Sequence, residues 1–264
     1  MLNMTFAAPG CDLAYGDSGG EGPPVVFTHG AGADHVMFDA QRDHLGARGY
    51  RVVTWDLRGH GRSRPDTAGF TAGRALADLR ALIQHLELDR PVLAGQSLGG
   101  NLSQALVRDD PEAARALIVI DSAWNAGPLS PWERVLLKAA GPLLSLVPAG
   151  RLPGLMADAS AVTPDARADA RRAFGQLTKP EFVRVWRAAV ELLDPEPGYR
   201  TPVPLCLIRG ERDRTGTIAA AMPRWAAAEG IAEVVIPGAG HLSTQDRPDA
   251  VNAAITAFLD REPW

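Results

Sequence analysis

Apolar positions along this chain fall into short blocks of two kinds. Continuous apolar runs at Pro24-Val25-Val26-Phe27-Thr28, Arg51 to Trp55, Pro91-Val92-Leu93-Ala94 and Ala116 to Ile120 read as buried strands. Between them the spacing turns helical. Met37 to Arg48 carries Phe38, Leu45 and Ala47, and Gly49 ends it; Thr71 to Leu86 sets Leu76, Leu79, Leu82, Ile83 and Leu86 on one face. At the start, Thr5-Phe6-Ala7 and Leu13-Ala14-Tyr15 flank Pro9-Gly10, which predicts an antiparallel hairpin. Strands that alternate with helices predict a parallel sheet joined by right-handed crossovers.

The alternation stops after Asp121. Up to Pro202 there is no convincing strand, only helical stretches near Pro131 to Ala140, Pro164 to Gln176 and Pro180 to Leu193. Each opens at or beside a proline, which suits the first turn of a helix. The sheet pattern resumes at Val203 to Ile208 and Ala232 to Ile236, and Ala250 to Leu259 reads as a closing helix. The expected organisation is an α/β core over 1–121 and 202–264, with a helical lid inserted at 122–201.

Composition narrows the reading without changing it. A chain of 264 residues, 46% hydrophobic and 22% charged, can bury one substantial core and is not a disordered chain. The net charge of −4 and the scattered arginines give no basic face for nucleic acid. The apolar stretch Val135 to Met156 is broken by Lys138, Pro142, Pro148, Arg151 and Pro153, so no membrane span is expected. The N-terminus has neither a basic n-region nor an apolar h-region, which makes a cytoplasmic location the expectation. Cys11 and Cys206 lie far apart and are expected as buried thiols. Without paired His or Cys at ligand spacing, no metal site is expected.

The candidate chemistry centres on Gly95-Gln96-Ser97-Leu98-Gly99, directly after an apolar run. Strand, sharp turn and helix with a serine at the apex is the nucleophile-elbow pattern G-x-S-x-G. A serine hydroxyl is a weak nucleophile unless a base takes its proton. Downstream, Asp213 follows Leu205-Cys206-Leu207-Ile208, and His241 follows Val234-Val235-Ile236. Upstream, His29-Gly30-Ala31-Gly32 follows a strand and can aim a backbone N–H at the serine. The isolated pentapeptide also fits a structural glycine turn; the order Ser, Asp, His gives it chemical meaning.

With these residues the chain resembles the α/β-hydrolases of the lid-bearing esterase type. Asp56-Leu57-Arg58-Gly59-His60-Gly61-Arg62-Ser63 resembles that family's D-x-R-G-x-G-x-S loop, Gly210-Glu211-Arg212-Asp213 its acid turn, and Gly240-His241 its C-terminal segment. The resemblance runs from about Pro24 to the C-terminus, outside the middle insert. It implies a mostly parallel, doubly covered sheet with an inserted helical lid. It further implies Ser97 as nucleophile, His241 as base, Asp213 as orienting acid, and the N–H groups of Ala31 and Leu98 as an oxyanion hole. The implied activity is hydrolysis of a small or medium apolar carboxylic ester or lactone through an acyl-serine, with no cofactor. The same family hosts thioesterases, carbon–carbon bond hydrolases, amidases and perhydrolases, and some relatives act as small-molecule receptors.

Other residues have two readings each. Asp121, at the end of the strand after the elbow, is the alternative triad acid; Asp213 has the more usual place and the better turn. His29 and His60 are read as ordering their loops, and His85 as packing. His35 and His44 have no partner that the sequence names. Gln96 either meets substrate or braces the elbow. Trp124 either lines the substrate pocket or covers the sheet.

Overall fold

The computed structural model describes residues 2–262; Met1, Pro263 and Trp264, at the ends of the expected core span, lie outside the described residues. Eight strands form one sheet: β1 (Met4–Ala8), β2 (Cys11–Asp17), β3 (Pro24–Thr28), β4 (Arg51–Trp55), β5 (Val92–Gln96), β6 (Ala116–Ile120), β7 (Leu205–Gly210) and β8 (Val234–Ile236). Their spatial order is β1-β2-β4-β3-β5-β6-β7-β8. The expected hairpin forms, with Phe6 opposite Leu13, and β2 joins β4 antiparallel. From β4 to β8 every pairing is parallel. Val25, Val26 and Phe27 are fully buried, as continuous apolar strands covered on both faces must be.

Helices α1 (Asp39–Gly46), α2 (Ala72–His85), α3 (Leu98–Asp109), α4 (Pro131–Leu146), α5 (Leu152–Ser160), α6 (Pro164–Phe174), α7 (Lys179–Glu191), α8 (Ile218–Glu229), α9 (Ser243–Asp246) and α10 (Pro248–Leu259) complete the fold. α1 packs on α10, and α2 packs on α3. The four helices α4 to α7 all lie between β6 and β7 in the chain, where the sequence predicts the insert. Among the described residues, no helix is long and apolar enough to cross a membrane.

Several helices depart from the sequence reading, α4, α5 and α8 most plainly. α4 runs to Leu146 and not Ala140, because the helix continues through Gly141 and Pro142. α5 was not expected, since Pro153 and Gly154 read as breakers; the proline sits in the first turn, where it costs no helical hydrogen bond. α8 lies where the sequence reading places no element, and it holds Pro223 in its interior. Its alanines favour helix, and Gly230 ends it in the left-handed conformation at φ 72°.

Candidate active site

Four strand ends converge. Ser97 follows β5, Asp121 follows β6, Asp213 lies just past β7, and His241 lies past β8. The carboxyl ends of parallel strands are where open α/β sheets bind ligands.

The elbow is built by close backbone approach. Ser97 has φ 52° and ψ −118°, a conformation that costs a non-glycine residue free energy. A Cβ on Gly95 would collide with Gly99 and Gly100, and one on Gly99 with the Thr28 and His29 carbonyls. The turn is held by Ser97 N–H donating to Ile120 O at 3.0 Å and by Ser122 Oγ donating to Ser97 O at 2.7 Å. Leu98 opens α3, and Ser97 offers it no side-chain cap, so the first-turn N–H groups stay available at the positive end of the helix.

The loop after β3 abuts this elbow. A Cβ on Gly30 would collide with Gln96 Oε1, and Ser97 Cβ would lie 3.2 Å from it. Two histidines lock the loop. His29 Nδ1–H donates to Gly30 O at 2.8 Å, and its Nε2 accepts from Leu57 N at 2.9 Å. His60 Nε2 accepts from Gly32 N at 3.2 Å, and its Nδ1–H donates to Arg58 O at 3.0 Å. Burial holds both imidazoles below their ordinary pKa, His60 down to about 3. The Asp56 loop is structural too: Asp56 accepts from His35 N at 2.8 Å and from Arg62 N at 2.7 Å. Arg58, its neighbour in the motif, is buried against Asp78 at 2.6 Å.

Asp213 and His241 are paired. His241 Nδ1 lies 3.0 Å from Asp213 Oδ2, and Asp213 Oδ1 accepts from Thr215 N at 2.8 Å. This bond leaves Nε2 as the ring nitrogen free to act on a proton. Burial opposes a charge on His241, but the Asp213 carboxylate outweighs it and holds the imidazole above its ordinary pKa. Burial likewise opposes the Asp213 anion; His241 and the Thr215 N–H keep its carboxyl below the usual range. Ser97 is joined to this pair indirectly, through its neighbour: Gln96 Nε2 donates to His241 O at 2.8 Å. Among the described residues no hydrogen bond joins the Ser97 hydroxyl to the imidazole.

Asp121 makes no bond to His241. Its Oδ1 accepts from Gly210 N at 2.6 Å, and its Oδ2 accepts from Ser243 N and Ser243 Oγ. It therefore ties the β7 terminus to the residue two places past His241. Burial, with the Asp213 charge adding to it, pushes Asp121 up to about 7. Sequence reading did not find Gln96's bond to the histidine loop, Thr215 or Ser243, because each acts through a contact distant in the chain.

Ser97 opens into a cavity of about 520 Å³, counting the space at its mouth. Its walls include Ala31, Asn101, Ala123, Leu137, Trp186 and Val190. The stretch from Val162 to α6 is fastened beside this site to Asp246 and Asp34. Asp246 accepts from Val162 N at 2.9 Å, Thr163 N at 2.8 Å and Gly240 N at 2.8 Å. Arg172 of α6 donates to Asp34 at 2.7 and 2.9 Å.

Of the two places the sequence allows it, Trp124 takes the one outside the lining of the Ser97 cavity. Its ring stacks on Trp225 at a centroid distance of 6.0 Å and an interplanar angle of 2°. It lines a separate small cavity with Gln104, Tyr199 and Trp225, away from Ser97. Asp121 bends the chain at φ 45° just past β6; beyond it Ala123 meets the Ser97 cavity, while the indole of Trp124 stacks on Trp225 of α8.

This chain belongs to the alpha/beta hydrolase family, whose model matches residues 25–254. It is 27% identical to 2-(acetamidomethylene)succinate hydrolase of Mesorhizobium japonicum, over 91% of this chain and 89% of that protein. It is 25% identical to 3-oxoadipate enol-lactonase 2 of Acinetobacter baylyi, over 97% and 96%. Among solved structures, a thermophilic esterase from Thermogutta terrifontis superposes with a TM-score of 0.78 at 28% identity, covering 97% of this chain and 96% of that one.

Proposed function

We propose that this hydrolase cleaves small or medium apolar carboxylic esters or lactones through an acyl-serine on Ser97. The observation that carries the reading is the buried Asp213–His241 pair, 3.0 Å apart, beside a strained serine that opens into an apolar cavity. His241 Nε2 takes the Ser97 proton as Oγ attacks the substrate carbonyl carbon. The developing oxyanion lies on the N–H groups of Ala31 and Leu98, at the positive end of α3. The tetrahedral intermediate collapses, the carbon–oxygen bond to the alcohol breaks, and His241 returns the proton to the leaving oxygen. Water then repeats the sequence on the acyl-serine, releasing the acid and restoring Ser97. Asp213 orients the imidazole and stabilises its charged form. Residues 122–201 act as a lid over a core of 1–121 and 202–264. The names of the relatives, a hydrolase, an enol-lactonase and an esterase, agree with this class.

The test is covalent labelling. A fluorophosphonate should add one mass increment to the protein, and Ser97→Ala should abolish it and lower kcat by roughly 10⁴ or more. Labelling that persists in Ser97→Ala overturns the assignment.

A further inference from the structure

Helix α7 turns one stripe toward the Ser97 cavity. Trp186, Ala189 and Val190 line it, and Leu193 continues the i, i+3, i+4, i+7 spacing beyond the helix end. Within this stripe one polar atom stands out. Trp186 Nε1 is buried and has no hydrogen-bond partner among the described residues. An indole N–H can only donate, and a buried donor left unmet is disfavoured. The neighbouring amide is committed: Asn101 Nδ2 donates to Ala123 O at 3.1 Å and to Asn125 Oδ1 at 2.6 Å. No other buried side-chain donor lining the cavity lacks a partner among the described residues.

Charge gives the second constraint. Among the described residues, no Arg, Lys or His lines the cavity. A carboxylate brought there would lose its water without gaining a cation. Two of the relatives are named for derivatives of diacids, succinate and adipate. Among the described residues this cavity has no counter-charge for such a group.

We propose that Trp186 is a specificity-determining residue whose indole N–H donates to a neutral oxygen of the substrate, remote from the scissile carbonyl. The substrate class is then an uncharged, largely apolar ester or lactone that carries a second acceptor, a ketone or ether oxygen. The inference rests on reading Ser97 as the nucleophile of this cavity, and it is testable without turnover.

Binding is measured by calorimetry in the Ser97→Ala protein. The probes are phenyl esters with a ketone at successive acyl positions, the matching all-methylene esters, and monophenyl succinate. At least one keto ester should bind about tenfold more tightly than its methylene match, the effect of one neutral hydrogen bond. Monophenyl succinate should bind most weakly. Trp186→Phe in the same background keeps the ring bulk and should bring the keto-to-methylene ratio near one. A ratio that survives Trp186→Phe, the lack of any keto preference, or tight binding of the succinate ester each overturns the proposal. If Trp186→Phe does not fold, ¹⁵N-labelled indoles in Ser97→Ala give the second measurement. The Trp186 N–H resonance, assigned through its contacts in α7, should shift with the keto ester and not with its methylene match; equal shifts overturn the proposal. Because these readouts need no chemistry, their failure is distinct from a failure of serine labelling.

Discussion

Gln96 Nε2 donates to the main-chain oxygen of His241 at 2.8 Å, across 145 positions of sequence. The residue before the candidate nucleophile thus holds the loop of the candidate base. Gln96 is buried, and its carboxamide packs against Gly30 on the opposite side. One side chain therefore contacts the elbow, the loop carrying Ala31 and the histidine loop.

Gln96→Leu keeps the bulk and removes the donor. The expected result is a kcat on a small ester reduced about 10–100-fold, since a displacement of about 1 Å between reacting groups has effects of that order. Fluorophosphonate labelling should persist but slow down. Steady-state kinetics and labelling rates on the same preparation check this. An unchanged kcat would leave Gln96 a packing residue.

The pH dependence follows from the Asp213–His241 pair. A base must be neutral to act, and Asp213 holds the His241 pKa above its ordinary value of 6.5. The acid limb of kcat/KM should therefore have its midpoint above about 6.5, with activity rising as pH rises. Asp213→Asn removes the main effect that raises this pKa and leaves burial, which lowers it. Its limb should move to lower pH while the plateau falls by about 10²–10⁴. Asp121→Asn, which touches no imidazole atom, should lower the plateau far less. The measurement is a full pH–rate profile for the three proteins. A larger loss in Asp121→Asn would reassign the acid.

Trp124 is expected to act through packing. Its ring is stacked on Trp225 and lies outside the Ser97 cavity. Trp124→Ala should destabilise the fold, by less than the about 3–5 kcal/mol of a fully buried tryptophan because Trp124 is half-buried. The ranking of an ester series by chain length should stay as in the wild type. Chemical denaturation and kcat/KM across the series separate the two effects.

His29 and His60 predict a stability change below neutrality. Each accepts a backbone N–H on one ring nitrogen, so protonation would set two donors face to face. Their folded pKa values lie below the unfolded value, His60 at about 3. Below about pH 6.5 the unfolded chain binds more protons there, for His60 down to about pH 3, so stability present above pH 6.5 is lost as pH falls. The slope is at most about 1.4 kcal/mol per pH unit for each histidine. His241, with its pKa raised, works in the opposite sense: its contribution is complete below about pH 6.5 and is lost as pH rises through the folded pKa. His60→Asn removes one titrating group and should flatten the fall in Tm between pH 7.5 and 5 relative to wild type. Parallel curves would show that His60 does not govern it.

Much of this protein is legible from residue order alone. Apolar runs of strand length, helical spacing between them, and the glycines around Ser97 are local properties, so β3 to β6, α2 and the elbow follow from short windows. The helical character of the stretch between β6 and β7 follows from the loss of strand pattern after Asp121. What the sequence left open depends on distant contacts. Pro142, Pro153 and Pro223 lie within helices; Pro153 sits in a first turn, where a proline costs no helical hydrogen bond. Trp124 could face substrate or sheet by sequence; α8 offers it Trp225, and the stack draws it away from the cavity. Asp121 and Asp213 could each serve His241 by position, and the three-dimensional register of β6 and β7 gives the imidazole to Asp213 and the backbone N–H groups to Asp121. Hydrogen bonds reach only about 3 Å, so which of two plausible side chains makes one is decided by tertiary packing and not by order along the chain.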